Sequence, residues 1–156
     1  MEDIKIEKLS HERYEEVVNL LKETYKKSFN NYYPNAFIDF TVRRQTIENI
    51  KMKAKHNFYV LLYEKKVVAC GCVITAKDCG EIVSFCVHPN FQKRGLGKLL
   101  LQYLEQIAQD KKIKRITCFS SIIALPFYVK NAYNFKDDKM IFSEKFGSFH
   151  LEKALK

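Results

Sequence analysis

Gln92-Lys93-Arg94-Gly95-Leu96-Gly97-Lys98 is the stretch on which the reading of this chain turns. It lies between an apolar, strand-like run ending in Phe85-Cys86-Val87 and an amphipathic, helix-like run that opens at Gly97. A strand-to-helix junction leaves backbone N–H groups unpaired and places the positive end of the helix dipole beside them, so it is an anion site suited to phosphate. Gly95 and Gly97 let the backbone approach a ligand with no Cβ in the way, while Arg94 and Lys98 add charge beside a pyrophosphate. Two other phosphate loops are excluded. A Walker loop needs Ser or Thr after its Gly-Lys, whereas Leu99 follows Lys98, and a Rossmann fingerprint needs a third glycine that is absent. A glycine turn that merely opened a helix would require neither the two basic residues nor the preceding Gln.

Downstream of this junction Leu100, Tyr103, Leu104, Ile107 and Ala108 fall on one helical face between Gly97 and Gln109, and Ile116 to Phe119 reads as a strand. Upstream, Phe58 to Tyr63 and Val67 to Thr75 are strands joined by the hairpin-length Glu64-Lys65-Lys66, and Asp78-Cys79-Gly80 turns into a third strand, Glu81 to Val87. Three consecutive strands make a meander, and the strand-helix-strand step after them makes a parallel pair. Nearer the start, Ile4 and Ile6 alternate with Lys5 and Glu7 in a short strand. Ser10 stands as N-cap of a helix with Tyr14, Val17, Val18, Leu21 and Tyr25 on its inner face. Asn30 to Asp39, with its Asn, its Pro and the aromatics Tyr32, Tyr33 and Phe37, reads as a loop, after which Thr41 is expected to cap a second helix that turns Ile47, Ile50 and Ala54 inward. Past Pro126 a short helix near Phe127 to Ala132 precedes strands near Lys139 to Ser143 and Phe149 to Lys153, with Gly147 in the turn between them. The order β-α-α-β-β-β-α-β-α-β-β predicts an α/β fold in one domain over residues 1–156, a central mixed antiparallel and parallel sheet flanked by helices.

A chain of 156 residues, 47% of them hydrophobic, has the length for one core. Its longest uncharged apolar runs, Val67 to Thr75 and Ile82 to Val87, are too short to cross a bilayer, and the acidic start Met1-Glu2-Asp3 is not that of a signal peptide. A cytoplasmic protein with no membrane partner is expected. Cys70, Cys72, Cys79, Cys86 and Cys118 form an odd set without C-x-x-C spacing and read as reduced core residues. Alternation puts Cys70 and Cys72 on one face, yet no His or carboxylate spacing completes a metal site, and no metal is expected. The net charge of +9 attracts polyanions. Its densest run, Lys111-Lys112-Ile113-Lys114-Arg115, falls between a helix and a strand and reads as a solvated turn, so nucleic acid is not the expected partner.

The segment from Gln92 to Gly97 matches, without a gap, the Q/R-x-x-G-x-G/A hallmark of the GCN5-related N-acetyltransferase (GNAT) superfamily, which the chain resembles. A second similarity lies downstream, where the family's A-x-x-F-Y-x-K-x-G-F pattern reads Ala124, Leu125, Pro126, Phe127, Tyr128, Val129, Lys130, Asn131, Ala132, Tyr133, with Ala132 in place of the usual glycine. Motifs and element order cover the region from about Phe58 to Tyr133, and residues 1–50 resemble the family only in their strand-helix-helix order.

The resemblance implies an acyl-coenzyme A N-acyltransferase fold in which a bulged strand splays from its parallel neighbour and the pantetheine arm of acetyl-coenzyme A, the co-substrate, lies in the gap. That strand would end in Phe85, Cys86 and Val87, whose backbone would bind the thioester carbonyl and the first pantetheine amides. The N–H groups of Lys93, Arg94, Gly95, Leu96, Gly97 and Lys98, following Gln92, would bind the pyrophosphate. A donor aimed at the thioester oxygen stabilises the oxyanion formed as an amine attacks, an effect worth ~3 kcal/mol. Glu81 stands eleven residues before Gln92, the ungapped spacing at which the lysine-acetylating branch of the superfamily carries its basic glutamate, and is the implied base. Tyr128 matches the tyrosine that protonates the leaving thiolate. Ser121, where relatives often carry Asn, touches the pantetheine or caps the helix that follows.

The implied reaction transfers acetyl to a primary amine by direct attack in a ternary complex, the acceptor being a small molecule or a peptide or protein amine. Cys86 is the residue that an acyl-enzyme route would use, but a strand thiol in apolar surroundings is a poor nucleophile. His88, before Pro89, invites a general-base reading, and as a turn histidine it is read as structural. A non-catalytic acyl-coenzyme A sensor or interaction module would keep the cleft without the chemistry, and the presence of Tyr128 speaks against it. A nucleic-acid-binding domain would show interleaved exposed aromatics, for which Tyr32 and Tyr33 are the candidates. With Pro34 and Phe37 these aromatics lie in the loop that lines the acceptor pocket in the superfamily, so an apolar or aromatic portion on the acceptor is expected. A C-terminal hairpin carrying Phe142, Phe146 and Phe149 offers a surface for a homodimer.

Overall fold

The computed structural model describes residues 3–141 and 148–156. In chain order the elements are β1 (Ile4–Lys8), α1 (Tyr14–Phe29), α2 (Asn35–Arg43), α3 (Ile47–Lys53), β2 (Asn57–Tyr63), β3 (Lys66–Ala76), β4 (Cys79–Val87), α4 (Leu96–Asp110), β5 (Arg115–Ser120), α5 (Leu125–Lys130), β6 (Asn134–Ile141) and β7 (Ser148–Ala154). The strands form one sheet in the order β1-β2-β3-β4-β5-β7-β6, parallel at β4–β5 and antiparallel elsewhere. This is the mixed α/β sheet that the sequence predicts. Among the described residues no helix is long and apolar enough to cross a membrane.

The sheet is covered on both faces, which is why its central strands read as nearly continuous apolar runs. Along β2, Phe58, Val60 and Leu62 pack with Val17, Val18, Leu21 and Ile50 of α1 and α3. The alternate residues Tyr59, Leu61 and Tyr63 pack with Leu100, Leu101 and Leu104 of α4. Cys70 and Cys72 share the α1 face, as alternation predicts. The turn between β2 and β3 places Glu64 at φ 48° and Lys65 at φ 66°, the left-handed pair whose twist suits a two-residue hairpin.

Three local expectations fail. Asn35–Arg43 is a helix, not loop: Ile38 and Val42, four residues apart, are buried against Phe29, and Pro34 precedes the helix in extended conformation without interrupting it. The cap of α3 is Thr46, not Thr41. Thr46 Oγ1 accepts from the Asn49 N–H at 3.2 Å, which leaves Ile50 buried and turns Ile47 outward at 46% exposure. Ser10 makes no side-chain cap bond, and the chain enters α1 through a 3₁₀ turn at His11–Arg13. In the C-terminal hairpin the Phe149 ring meets Phe135 edge-on at 5.9 Å, while Phe142, Phe146 and Gly147 lie outside the described residues.

One irregularity shapes the molecule. Cys70 of β3 faces Cys86 of β4 and Cys72 faces Val83, so two steps on β3 span three on β4, and the extra residue is a β-bulge. Within it Ser84 takes φ 51°. Pairing of β4 with β5 stops at Ile82 and Cys118, although the strands run on to Val87 and Ser120. Past the bulge the two strands diverge, and a wedge opens between them.

Candidate active site

The wedge is the floor of a cleft of about 1430 Å³. Phe85, Cys86 and Val87 line one side of it, and Ser120, Ser121 and Tyr128 the other. Bulge geometry depends on a glycine opposite. A Cβ on Gly71 would stand 2.7 Å from Cδ2 of Phe85 and 2.9 Å from Cδ1 of Leu104, so only a residue without a side chain lets Phe85 lie across β3. The Phe85 ring then stacks on Phe127 at 5.7 Å.

At the open end of the wedge stands the first turn of α4. Gly95, its N-cap, has φ 81°, a left-handed conformation that glycine adopts without Cβ strain. The first intrahelical bond runs from the Leu99 N–H to the Gly95 carbonyl, which leaves the preceding N–H groups for a ligand. Gln92 Nε2 donates to the Val87 carbonyl at 2.9 Å, tying this loop to the end of β4. The side chains of the motif part company. Lys93 and Lys98 line the cleft, Leu96 is buried in the core, and the Arg94 guanidinium lies over the Phe91 ring at 5.1 Å, outside the cleft lining. A Cβ on Gly97 would sit 3.2 Å from Phe127 Cε2 and 3.4 Å from Val87 Cγ2, so this glycine lets α4 approach α5 and β4.

Tyr128 is 5% exposed. Its hydroxyl has no hydrogen bond among the described residues, and burial, reinforced by the nearby Cys118, Tyr25 and Cys86, pushes its pKa well above the ordinary tyrosine range. It therefore holds its proton at neutral pH. Glu81 lines the cleft as an internal, half-buried residue of β4, laddered to Ile74 on one side and Thr117 on the other. Ser121 lines the cleft and also caps: its Oγ accepts from the Ala124 N–H at 3.1 Å. After α5 Ala132 takes φ 70° and the Tyr133 N–H reaches back to the Tyr128 carbonyl at 3.1 Å, a left-handed helix end usually built with glycine. His88 is held structurally. Its Nδ1 accepts from the Asn90 N–H at 3.1 Å, and its Nε2 lies 3.3 Å from Glu23 Oε1.

The opposite wall comes from the first three helices. Thr24, Tyr25 and Ser28 of α1, an aromatic group of Phe29, Tyr33 and Phe37, and the cations Arg44 and Lys53 all line the cleft. Lys53 Nζ donates to Ser84 Oγ at 2.7 Å, pinning the bulge from across the gap. Tyr33 stacks between Phe29 and Phe37, at 4.7 and 4.9 Å, and its hydroxyl accepts from the Ile122 N–H at 3.1 Å. It joins α1–α2 to the segment before α5. Of these residues the sequence reading assigned only Tyr33 and Phe37 to the acceptor side; it missed Phe29, and Tyr32 and Pro34, which it placed there, are not in the lining. The i, i+4 spacing of Thr24 and Ser28 beside an apolar stripe is a signal for the hydroxyls, whereas Arg44 and Lys53 carry none.

Comparison with known proteins identifies the fold and the family. The PaiA N-acetyltransferase of Thermoplasma acidophilum, solved in complex with coenzyme A, superposes with a TM-score of 0.88 at 20% identity, covering 98% of this chain and 99% of that one. A GNAT-family acetyltransferase from Staphylococcus aureus Mu50 gives 0.78 at 18% identity, with 98% and 99% covered. N-acetylglutamate synthase from Neisseria gonorrhoeae, complexed with coenzyme A and N-acetyl-glutamate, gives 0.73 at 18% identity over 98% of this chain and 35% of that larger one. At these identities the structures establish a shared fold. The sequence model of the acetyltransferase (GNAT) family matches residues 14–133, the span that holds the bulged strand, the glycine loop and Tyr128, and the chain belongs to that family.

Proposed function

We propose that this chain, acting as one domain over residues 1–156, is an N-acetyltransferase that carries acetyl from acetyl-coenzyme A to a primary amine within a ternary complex. The observation that carries this reading is the wedge between β4 and β5, opened by the bulge at Ser84 and ending at the unpaired N–H groups of α4. An extended amide-bearing arm fits along Phe85, Cys86 and Val87, since β4 past Ile82 has no ladder partner on its β5 side. The pyrophosphate fits at the α4 N-terminus, with the backbone of Lys93 to Lys98 as donors and the ammonium groups of Lys93 and Lys98 at the same end.

In the proposed reaction the neutral amine attacks the thioester carbonyl, and a β4 backbone N–H near the bulge stabilises the oxyanion. Glu81, directly or through water, takes the proton lost by the amine. The C–S bond then breaks, and Tyr128 gives its proton to the departing thiolate, leaving an acetamide and free coenzyme A. Tyr128 lies on the cleft wall beside Phe85, and burial keeps it in the acid form that this role needs. Cys86 has its Sγ 3.9 Å from that of Cys70, inside the α1-side core, and direct transfer needs no acyl-enzyme on it. A thiol-release assay with acetyl-coenzyme A and a panel of amines tests the proposal. Amine-dependent release of coenzyme A is the expected result. Cofactor binding without release for any amine would favour a sensor with the same fold.

A further inference from the structure

Resting on the acetyltransferase reading, we infer that Thr24 is an acceptor-binding residue: its hydroxyl hydrogen-bonds a neutral polar group that the acceptor carries close to its reacting amine, with an apolar or aromatic body beyond. The first observation is an unmet hydrogen bond. Thr24 is 5% exposed, and its Oγ1 has no hydrogen-bond partner among the described residues, where it is the one buried side-chain oxygen left so. A threonine inside a helix can return its hydroxyl to a carbonyl three or four residues earlier, and Thr24 in α1 does not. Such a group is unfavourable in the free protein and becomes favourable once a ligand completes it. Thr24 belongs to the lining of the cleft, and a helical threonine has two favourable χ1 wells, so its hydroxyl turns to a ligand there without moving α1.

The neighbours of Thr24 along α1 fix which part of the acceptor it meets. Glu23 Oε1 lies 3.3 Å from Nε2 of His88, just past the end of β4, and Tyr25 packs against the core cluster that holds Cys86. Thr24 therefore stands level with the end of β4, along which the thioester is proposed to lie. Ser28, one turn later, adds a second hydroxyl-bearing residue to the lining. Phe29, about 7–8 Å beyond Thr24 along the helix axis, joins Tyr33 and Phe37 in an aromatic wall with ring centroids 4.7 to 6.2 Å apart. A hydroxyl both donates and accepts, so it pairs with a carboxamide or another hydroxyl. An amine whose adjacent carbon bears a carboxamide and an aromatic side group presents the two features in the order in which the wall receives them.

The test compares L-phenylalaninamide with phenethylamine, which lacks the carboxamide, in thiol release by the wild-type protein and by Thr24→Val, a change that nearly keeps the shape and deletes the hydroxyl. The readout is the ratio of kcat/KM for the two amines, because the difference in their basicity cancels between the two proteins. That ratio is expected to fall about three- to tenfold in the variant, the loss of one hydrogen bond to the acceptor. Calorimetric affinity for acetyl-coenzyme A should stay unchanged, and the urea midpoint should not fall. A hydroxyl with a purely structural role would lower the midpoint and leave the ratio alone. An unchanged ratio, a lowered midpoint, weakened acetyl-coenzyme A binding by the variant, or turnover confined to polyamines such as spermidine would overturn the inference while leaving the acetyltransferase reading intact. Wild-type protein that fails to bind acetyl-coenzyme A, or binds it and releases no thiol with any amine, would defeat both.

Discussion

Tyr128 and Ala132 carry the predictions that belong to single residues. Replacing Tyr128 by Phe keeps the ring against Phe85, Phe127 and Tyr133 and deletes only the hydroxyl. It should lower kcat by about 10- to 1000-fold with acetyl-coenzyme A affinity nearly unchanged, as the loss of a general acid requires, and steady-state kinetics beside calorimetry will read both. An unchanged kcat would remove Tyr128 from the mechanism. Because the donor must be protonated and burial holds its pKa well above the ordinary tyrosine range, the alkaline fall in kcat moves upward too. An unshifted donor would begin to fail near about pH 9, whereas kcat here should hold through that range. Ala132 is a different case, a residue with a Cβ at φ 70° where the helix end favours glycine. Ala132→Gly should raise stability by about 1 kcal/mol in urea denaturation, the relief of left-handed strain exceeding the added freedom of the unfolded chain. A loss of stability would show that the Ala132 methyl contributes more by packing than it costs in strain.

The decisive element is β4, and the prediction at this scale concerns what holds its bulge. Gly71→Val puts side-chain atoms where the Phe85 ring and Leu104 now lie. It should cost about 1–3 kcal/mol of stability by overpacking and weaken acetyl-coenzyme A binding as Phe85 shifts. Denaturation and calorimetry on the same variant separate the two effects, and full cofactor affinity would mean that the wedge does not depend on this contact. Elements buried on one or both faces were legible because their pattern is imposed by burial: β2 and β3 as apolar runs, α4 by its repeat at helical spacing. The second helix was not. Its Ile38 and Val42 contact falls in a stretch whose Asn, Pro and aromatic composition reads as loop, and a nine-residue helix supplies little periodicity to outweigh it. Nothing at Ser84 announces a left-handed residue. The glycine of Cys70-Gly71-Cys72, isolated inside a strand pattern, was the signal of a close approach there.

For the molecule as a whole, the site was legible where chemistry is local in sequence and hidden where the fold assembles it. The glycine loop and the segment around Tyr128 each sit in one continuous motif. Thr24, Arg44 and Lys53 reach the cleft from three different helices, and no spacing relates them. The net charge of +9 bears on association with a polyanionic co-substrate. Stopped-flow rates for acetyl-coenzyme A should fall as salt rises through the range where the Debye length shrinks from about 30 to 10 Å, and a salt-independent rate would confine the basic surface to solubility. The central claim, that the wedge and the α4 N-terminus form an acetyl-coenzyme A site, is tested most directly by calorimetric titration of that cofactor into the wild-type protein and into Gly97→Glu. One-to-one binding with a dissociation constant of about 1–100 μM, abolished by a carboxylate at position 97, is the expected result. No binding at about 1 mM cofactor, or undiminished binding by the variant, would contradict it.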